Sequence, residues 1–323
     1  MDIEKALSEL KEQLPGLEIL ENEPMSRHCS FKSGGCVRAY TAPQSIMSLS
    51  KVCSILKDNQ IAPFMLGNGT NVVFPDEGNT QLIVISTEKL QEIHLLDENL
   101  IYAEAGVSLA RLAAFAQENS LSGLEFASGI PGTVGGGVIM NAGAYDGELK
   151  DVIESVSTLY VADQRLYEFT NEQCKFSYRH SVFQEQGGDI VLNAVFRLEK
   201  GDTKDISAKM KELNEKRREK QPLDFPSAGS AFKRPEGYYA AALIAECGLK
   251  GYTVGGAQVS EKHAGFIINK GEATSKDLYD VMDHVRNVVY EKKGVALQPE
   301  IILISPDYVL EDNTPKAPRN KVF

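Results

Sequence analysis

Two glycine-rich stretches carry the residue types and spacings that could do chemistry. From Gly123 to Gly147 the chain reads GLEFASGIPGTVGGGVIMNAGAYDG, almost without charge. Gly129, Gly132, Gly135, Gly136 and Gly137 strip side chains from a run that also holds Pro131, so the backbone could bend sharply, take positive φ and approach a ligand closely. Successive bare N–H groups in such a turn form an anion-binding concavity. A flexible linker would mix its glycines with serine and charge, whereas Ile130, Val134, Val138, Ile139 and Met140 interleave here and call for burial. A buried, donor-rich loop suits a dinucleotide diphosphate; a tight crossover between packed elements explains the glycines equally well. The second stretch is GNGTN, formed by Gly67, Asn68, Gly69, Thr70 and Asn71. It follows a short apolar run, the usual place for a phosphate contact, although on its own a plain hairpin turn is the simpler reading. Neither stretch is a Rossmann or Walker motif: Val72 stands where a third glycine would be, and no Gly-Lys-Ser or Gly-Lys-Thr closes either turn.

The 323 residues suffice for two or three domains with cores of their own. A net charge of −11 argues against nucleic acid and acidic membranes, since both require a basic face. No run of about 18 uncharged apolar residues is present, so no membrane insertion is expected. The N-terminus, MDIEKALSELKEQL, has the pattern of an acidic amphipathic helix without the layout of a secretory signal, which places the protein in the cytoplasm. Five scattered cysteines (Cys29, Cys36, Cys53, Cys174, Cys247) lack the spacing of a zinc site or a disulfide framework, so neither a metal nor a disulfide is expected.

The elements that must position the loops follow from periodicity and punctuation. Helices are expected over Asp2–Leu14, Gln44–Asn59, Ser108–Gln117 with Ser108 as N-cap, Tyr239–Cys247, and Ser275–Lys292 with Ser275 as N-cap. Strands are expected after the Gly34–Gly35 turn, over Pro63–Leu66, Gln81–Ile85, Leu100–Ala105, Ile153–Val161, Ile190–Leu198 and Ala264–Asn269, and as a buried IILI run beyond Pro299. The charge-dense run Lys200–Lys220 reads as a solvated connecting helix. The tail from Pro306 reads as a loosely docked extension.

Several separate stretches coincide with one family. FKSGG, GNGTN, SGIPGTVGG with NAGAYDG, YRHS at Tyr178–Ser181, PSAGSAFKRP at Pro226–Pro235 and the LQPE before Ile301 resemble, in this order, the UDP-N-acetylenolpyruvoylglucosamine reductases. The resemblance covers roughly residues 25 to 305, and motifs in register carry far more weight than any one alone. It implies an α+β protein: an FAD-binding domain of the vanillyl-alcohol-oxidase and cresol-methylhydroxylase type, made of two α+β subdomains, followed by a smaller α+β substrate-binding domain. The expected organisation is an N-terminal helix and lead-in over 1–24, the FAD-binding domain over 25–200, the connecting helix over 201–220, the C-terminal substrate domain over 221–305 and the tail over 306–323. It also implies non-covalent FAD, NADPH as reductant and UDP-N-acetylglucosamine enolpyruvate as substrate.

By that resemblance, Gly67 to Asn71 and the run Ser128, Gly129, Ile130, Pro131, Gly132, Gly135 and Gly136 bind the pyrophosphate. Asn141, Ala142, Gly143, Ala144 and Tyr145 line the flavin, while Gly35 packs an entry turn. Hydride arriving at the methylene carbon of an enolpyruvyl ether leaves negative charge on the adjacent carbon, delocalised into the carboxylate, and a cation or hydrogen-bond donor must meet it. Arg179 suits that need, because a guanidinium binds a carboxylate through two parallel bonds. The resemblance makes Glu300 the acid that assists the developing enolate, which requires burial to hold its proton. It makes Ser230 the proton donor to the carbanion-like centre. Tyr178, Lys220, Lys233 and Arg234 are placed on the substrate side, Arg234 standing where some members carry asparagine. The chain lacks the tyrosine-bearing insertion between Ser181 and Lys220 of the longer form, and so resembles the short form. His180 receives no role, and Gln258 and His263 are read as structural. Two other readings remain open: an oxygen-using sugar or alcohol oxidase on the same FAD scaffold, and a catalytically silent nucleotide-sugar binder.

Overall fold

The computed structural model describes residues 2–185, 188–304 and 320–321. The chain opens with α1 (Ile3–Gln13), capped by the Asp2 carboxylate accepting from the Lys5 N–H, and α2 (Ile46–Asp58), opened by a Ser45–Ser48 capping box. Both lay apolar stripes on a four-stranded sheet in the spatial order Ile19–Pro24, Cys36–Thr41, Asn79–Ser86, Phe64–Leu66. The first pair is antiparallel and the others are parallel. The expected N-terminal helix is thus present as α1, and the lead-in after it supplies an edge strand to this layer.

The second layer is a six-stranded antiparallel sheet in the order Asn320–Lys321, Arg165–Thr170, Ile153–Tyr160, Asp189–Arg197, Leu100–Glu104, Ile93–Asp97. Its core is shared with α3 (Leu109–Glu118), capped by Ser108, and with α4 (Val134–Met140), capped by Thr133. A single turn, α5 (Val182–Glu185), follows the YRHS run, and α6 (Thr203–Lys220) packs on the 3-10 turn Glu125–Gly129.

The third layer joins α7 (Ala240–Glu246) and α8 (Ser275–Lys293) to a three-stranded antiparallel sheet of Thr253–Val254, Ala257–Val259 and Ile267–Asn269. Its core takes in Phe31 and Val73 from the first layer. The chain then returns: Ile302–Leu303 pairs parallel with Val72–Val73, directly after GNGTN. The architecture is α+β throughout.

Several sequence expectations are corrected here. The stretch Val134–Met140 is a helix and not an open loop, because Thr133 Oγ1 accepts from the Gly136 N–H and the apolar residues face the core. Thr274, not Ser275, caps α8, through a reciprocal box with Asp277. The IILI run is not a buried strand: Ile301 and Ile304 are buried while Ile302 and Leu303, which form the strand, are exposed. Strands Ile93–Asp97 and Arg165–Thr170 were not expected; the first is a largely exposed edge, and the second, between Asn320–Lys321 and Ile153–Tyr160, buries only Tyr167 and Phe169. The expected loosely docked tail lies outside the described residues except at Asn320–Lys321.

Candidate active site

The GNGTN loop leaves strand Phe64–Leu66 and is held from behind. Ser30 donates its N–H to the Gly69 carbonyl at 3.0 Å, and a Cβ on Gly69, whose φ is +60°, would stand 2.0 Å from the His28 carbonyl oxygen. Glycine is thus required by both backbone and neighbour. Among the described residues no acceptor takes the backbone N–H of Asn68, Gly69, Thr70 or Asn71. Four free donors on one turn form the anion concavity that the sequence suggested.

Ile130–Thr133 and the start of α4 line the same cavity, and a Cβ on Gly67 would stand 2.6 Å from Thr133 Oγ1. None of Gly129, Gly132, Gly135, Gly136 or Gly137 uses positive φ, which corrects that part of the sequence reading; the positive-φ residues of the stretch are Gly123, Asn141, Tyr145 and Asp146. Gly135 and Gly137 are packing glycines, since a Cβ would meet Ala105 Cβ at 3.0 Å and Leu149 Cδ1 at 2.8 Å. At Gly132 and Gly136 no protein atom lies closer than 3.7 Å to the Cβ position, and both line the same cavity as GNGTN. That cavity measures about 330 Å³.

Arg179, Glu300 and Ser230 meet at this cavity from three distant segments. Arg179 sits with φ +55° in the turn closed by reciprocal hydrogen bonds of Ser177 and His180. Its Nε donates to Glu300 Oε1 at 2.6 Å and its Nη2 to the Gly143 carbonyl at 3.1 Å. Glu300 is held by its own N–H to the Ala231 carbonyl and by Asn71 Nδ2 on its carbonyl oxygen. Burial pushes the Glu300 carboxyl above the ordinary glutamate range, against the opposing pull of Arg179 and Lys233. Ser230, opposite Phe266, has no hydrogen-bond partner for its hydroxyl among the described residues, so it is not spent on its own turn.

The other expected residues divide. Gly67 to Asn71, Ile130, Pro131, Gly132, Gly135, Gly136, Ala142, Gly143 and Ala144 line the cavity. Ser128 and Gly129 lie behind it, because Ser128 Oγ donates to the Glu125 carbonyl and accepts from Asn214 Nδ2. Asn141 is fully buried scaffold, bonded to Glu148, Ser177 and Lys150. Tyr145, Tyr178 and Arg234 instead line an outer recess that shares Gly143, Ala144 and Arg179 with the cavity. There the Arg234 guanidinium stacks 4.0 Å over Tyr239, and the Arg234 backbone N–H donates to Tyr178 Oη at 3.2 Å. Lys220 is exposed, and Lys233 reaches the site only through its charge on Glu300. His180 pairs with Glu185 at 2.9 Å.

Sequence reasoning missed Arg217 and Gln221, which line the cavity from the end of α6. Their signal was buried in a charge run whose period hides the single inward face.

Known proteins match this arrangement along the chain. A model described as "UDP-N-acetylenolpyruvoylglucosamine reductase, C-terminal domain" matches residues 221–304, and one described as "FAD binding domain" matches 37–170. The reductase of that name from Caldanaerobacter subterraneus subsp. tengcongensis is 48% identical over 298 residues, 92% of this chain and 97% of its own. The chain belongs to the UDP-N-acetylenolpyruvoylglucosamine reductase family. The reductase from Agathobacter rectalis is 46% identical over 91% of this chain and 96% of its own. In three dimensions the reductase from Thermus caldophilus superposes with a TM-score of 0.75 at 31% identity, covering 89% of this chain and 98% of that one. Against this family background the residues present fit FAD: a Cβ at Gly132 or Gly136 would fill the cradle, and the GNGTN donors await an anion.

Proposed function

We propose that this protein reduces UDP-N-acetylglucosamine enolpyruvate to UDP-N-acetylmuramate in peptidoglycan precursor synthesis, with non-covalent FAD and with NADPH as reductant. The observation that carries this reading is the meeting of Arg179, Glu300 and the unengaged Ser230 hydroxyl on the cavity that the GNGTN donor turn also lines. FAD, when bound, supplies a two-electron hydride relay between NADPH and the enolpyruvyl double bond.

The chain's own residues do the rest. Arg179 turns toward the substrate carboxylate and, with Glu300, offsets the charge that spreads into it as the adjacent carbon becomes carbanion-like. Burial favours a proton on Glu300, which lets it donate a hydrogen bond to that carboxylate. Ser230 Oγ–H delivers its proton to the carbon, which is basic enough to take it from a hydroxyl. The UDP moiety lies in the outer recess against Tyr178, Arg234 and Tyr239. Residues 25–200 serve as the FAD-binding domain and 221–305 as the substrate domain, supported by apolar cores drawn mainly from each range, with Phe31 and Val73 of the first joining the core of the second. A cytoplasmic location suits these water-soluble reactants, and no helix among the described residues is long and apolar enough to cross a membrane.

An absorption spectrum tests the reading. The purified protein is expected to be yellow, to bleach with NADPH without oxygen, and to recolour on addition of the enolpyruvyl substrate. Recolouring by oxygen alone, with the substrate inert, would instead establish the oxidase reading.

A further inference from the structure

Ser230 sits within the segment 226–232, and two hydrogen-bonded routes bracket it. Past the serine, the Ala231 carbonyl accepts the Glu300 N–H at 2.9 Å, and Asn71 Nδ2 donates to the Glu300 carbonyl at 3.1 Å. Ahead of it, the Pro226 carbonyl accepts the Asn269 N–H at 2.9 Å, and Asn269 Nδ2 donates to the Phe31 carbonyl at 2.8 Å across 238 residues. The neighbouring Ser30 donates its N–H to the Gly69 carbonyl. Both routes therefore end on GNGTN, one at Asn71 and the other at Gly69.

Asn269 ends the strand Ile267–Asn269 and is buried. Its two side-chain polar atoms have separate duties. Oδ1 accepts the N–H of Gly271 at 2.9 Å and of Ala273 at 3.1 Å, which shapes the turn leading to α8. Nδ2 leaves this layer for Phe31, whose ring is packed in the core of the third layer. The strap at Ser30 and Phe31 is thus gripped by its side chain and by its carbonyl, and an apolar replacement of Asn269 would strand that buried carbonyl.

A segment tied at one end can pivot, whereas one tied at both ends keeps its orientation as well as its place. Proton transfer to carbon demands that orientation, since a misplacement of about 1 Å can cost about 10²-fold in rate. The GNGTN donors hold the cofactor, so the reach from cofactor to proton donor depends on how segment 226–232 sits against that loop. Asn71 belongs to the loop itself; Asn269 supplies the side-chain link of the second route.

We propose that Asn269 is a positioning residue for the reduction: its side-chain amide keeps the Ser230 segment in register with the GNGTN loop, so that proton donor and cofactor meet the same carbon. This rests on the reading of FAD and Ser230 given above.

The test compares holoenzyme of wild type, Asn269→Asp, Asn269→Ser and Val289→Ala in stopped-flow half-reactions. Asn269→Asp keeps an acceptor for Gly271 and Ala273 but loses the donor to Phe31. Asn269→Ser keeps a weaker acceptor for the same turn, without charge, and also loses that donor. Val289→Ala thins the same core from α8 and leaves the tie intact. Both Asn269 variants are expected to reoxidise reduced flavin with saturating UDP-N-acetylglucosamine enolpyruvate about tenfold or more slowly. Flavin reduction by NADPH, in which Ser230 takes no part, and the half-saturating substrate concentration should stay within about threefold of wild type. Val289→Ala should keep both half-reactions in its folded fraction. A wild-type reoxidation rate in either Asn269 variant overturns the proposal, and Asn269→Ser alone decides it should Asn269→Asp not fold. Equal slowing of the two half-reactions, equal slowing in Val289→Ala, or a change confined to the half-saturating concentration overturns it as well. Reduced wild-type flavin that the enolpyruvyl substrate does not reoxidise defeats the underlying reading instead.

Discussion

Glu300 accepts the Nε–H of Arg179 at 2.6 Å across 121 residues of sequence. The pair joins the turn between strands Arg165–Thr170 and Asp189–Arg197 of the second sheet to the loop that leads into the strand beside Val72–Val73, so the candidate site is assembled at the seam between layers. Such a pair is not a source of stability by itself, because desolvation offsets much of its attraction. Its use lies in fixing an acid that burial makes harder to ionise.

The first prediction concerns that proton. Burial raises the Glu300 pKa above the ordinary glutamate value. The folded state therefore keeps a proton that the unfolded chain has released, and the contribution of Glu300 to stability falls as pH rises from the unfolded value through the raised one. Glu300→Gln should remove that slope in urea titrations of the apoprotein, and should slow flavin reoxidation by substrate on the order of 10²-fold while NADPH still reduces it. A stability difference between the two proteins that is flat with pH above 4.5 would show that the carboxyl is not raised.

The second prediction separates the half-reactions. The Ser230 hydroxyl has no protein partner among the described residues, so Ser230→Ala removes a donor without stranding another group. Flavin reduction by NADPH should keep its rate in stopped-flow measurements, and reoxidation by substrate should slow by roughly 10² to 10⁴. Full turnover in the variant would sink the proton-donor role.

Much of this site could be read from the chain because its motifs are local. GNGTN, YRHS and LQPE each place one reactive or donor group, and the glycines announce close approach. What could not be read is which approach each glycine serves. Gly136 leaves room for a ligand, whereas Gly135, its neighbour, leaves room for Ala105, a contact set by a strand thirty residues earlier. The helix Val134–Met140 was equally hidden, since a run with Gly135, Gly136 and Gly137 has poor intrinsic propensity and is helical only because Thr133 caps it and Val134 and Val138 are buried. Arg217 was lost in a solvated charge run for the same reason: its inward direction is a property of the packing against Glu125–Gly129.

That distinction between glycines supplies a third prediction. Gly136→Leu puts a side chain into the cradle, so the protein should purify with FAD content reduced by an order of magnitude or more but with a thermal midpoint close to that of wild-type apoprotein. Gly35→Ala does the reverse. Its Cβ would stand 2.2 Å from the Asp76 carbonyl oxygen and 2.6 Å from the Gly78 nitrogen, and backbone cannot swing aside as a side chain can. A loss of about 1–3 kcal/mol is expected, with full FAD occupancy in the folded fraction. Equal flavin loss in both variants would contradict the division.

The fourth prediction concerns the residue that Gly35 crowds. The Asp76 carboxylate accepts the backbone N–H of Ser275 at 2.7 Å and of Lys276 at 2.8 Å, some 200 residues away, at the start of α8. Those are two of the donors that a helix leaves unsatisfied at its N-terminus, and a negative charge there also meets the favourable end of the helix dipole. Thr274 already caps the helix through the Asp277 N–H, so Asp76 adds a second, tertiary cap that ties the GNGTN layer to the third layer. Ser275 is fully buried, and its N–H would find no water if the carboxylate were removed. Asp76→Ala should therefore cost about 1–3 kcal/mol in urea unfolding, more than an exposed cap. Asp76→Asn keeps one acceptor but loses the charge and should cost roughly half as much. Hydrogen exchange at the Ser275 and Lys276 amides gives the decisive readout: in Asp76→Ala it should accelerate while the middle of α8, buried through Val281 and Val285, stays protected. Unchanged exchange at both amides would mean that the Asp76 carboxylate does not cap α8 in solution.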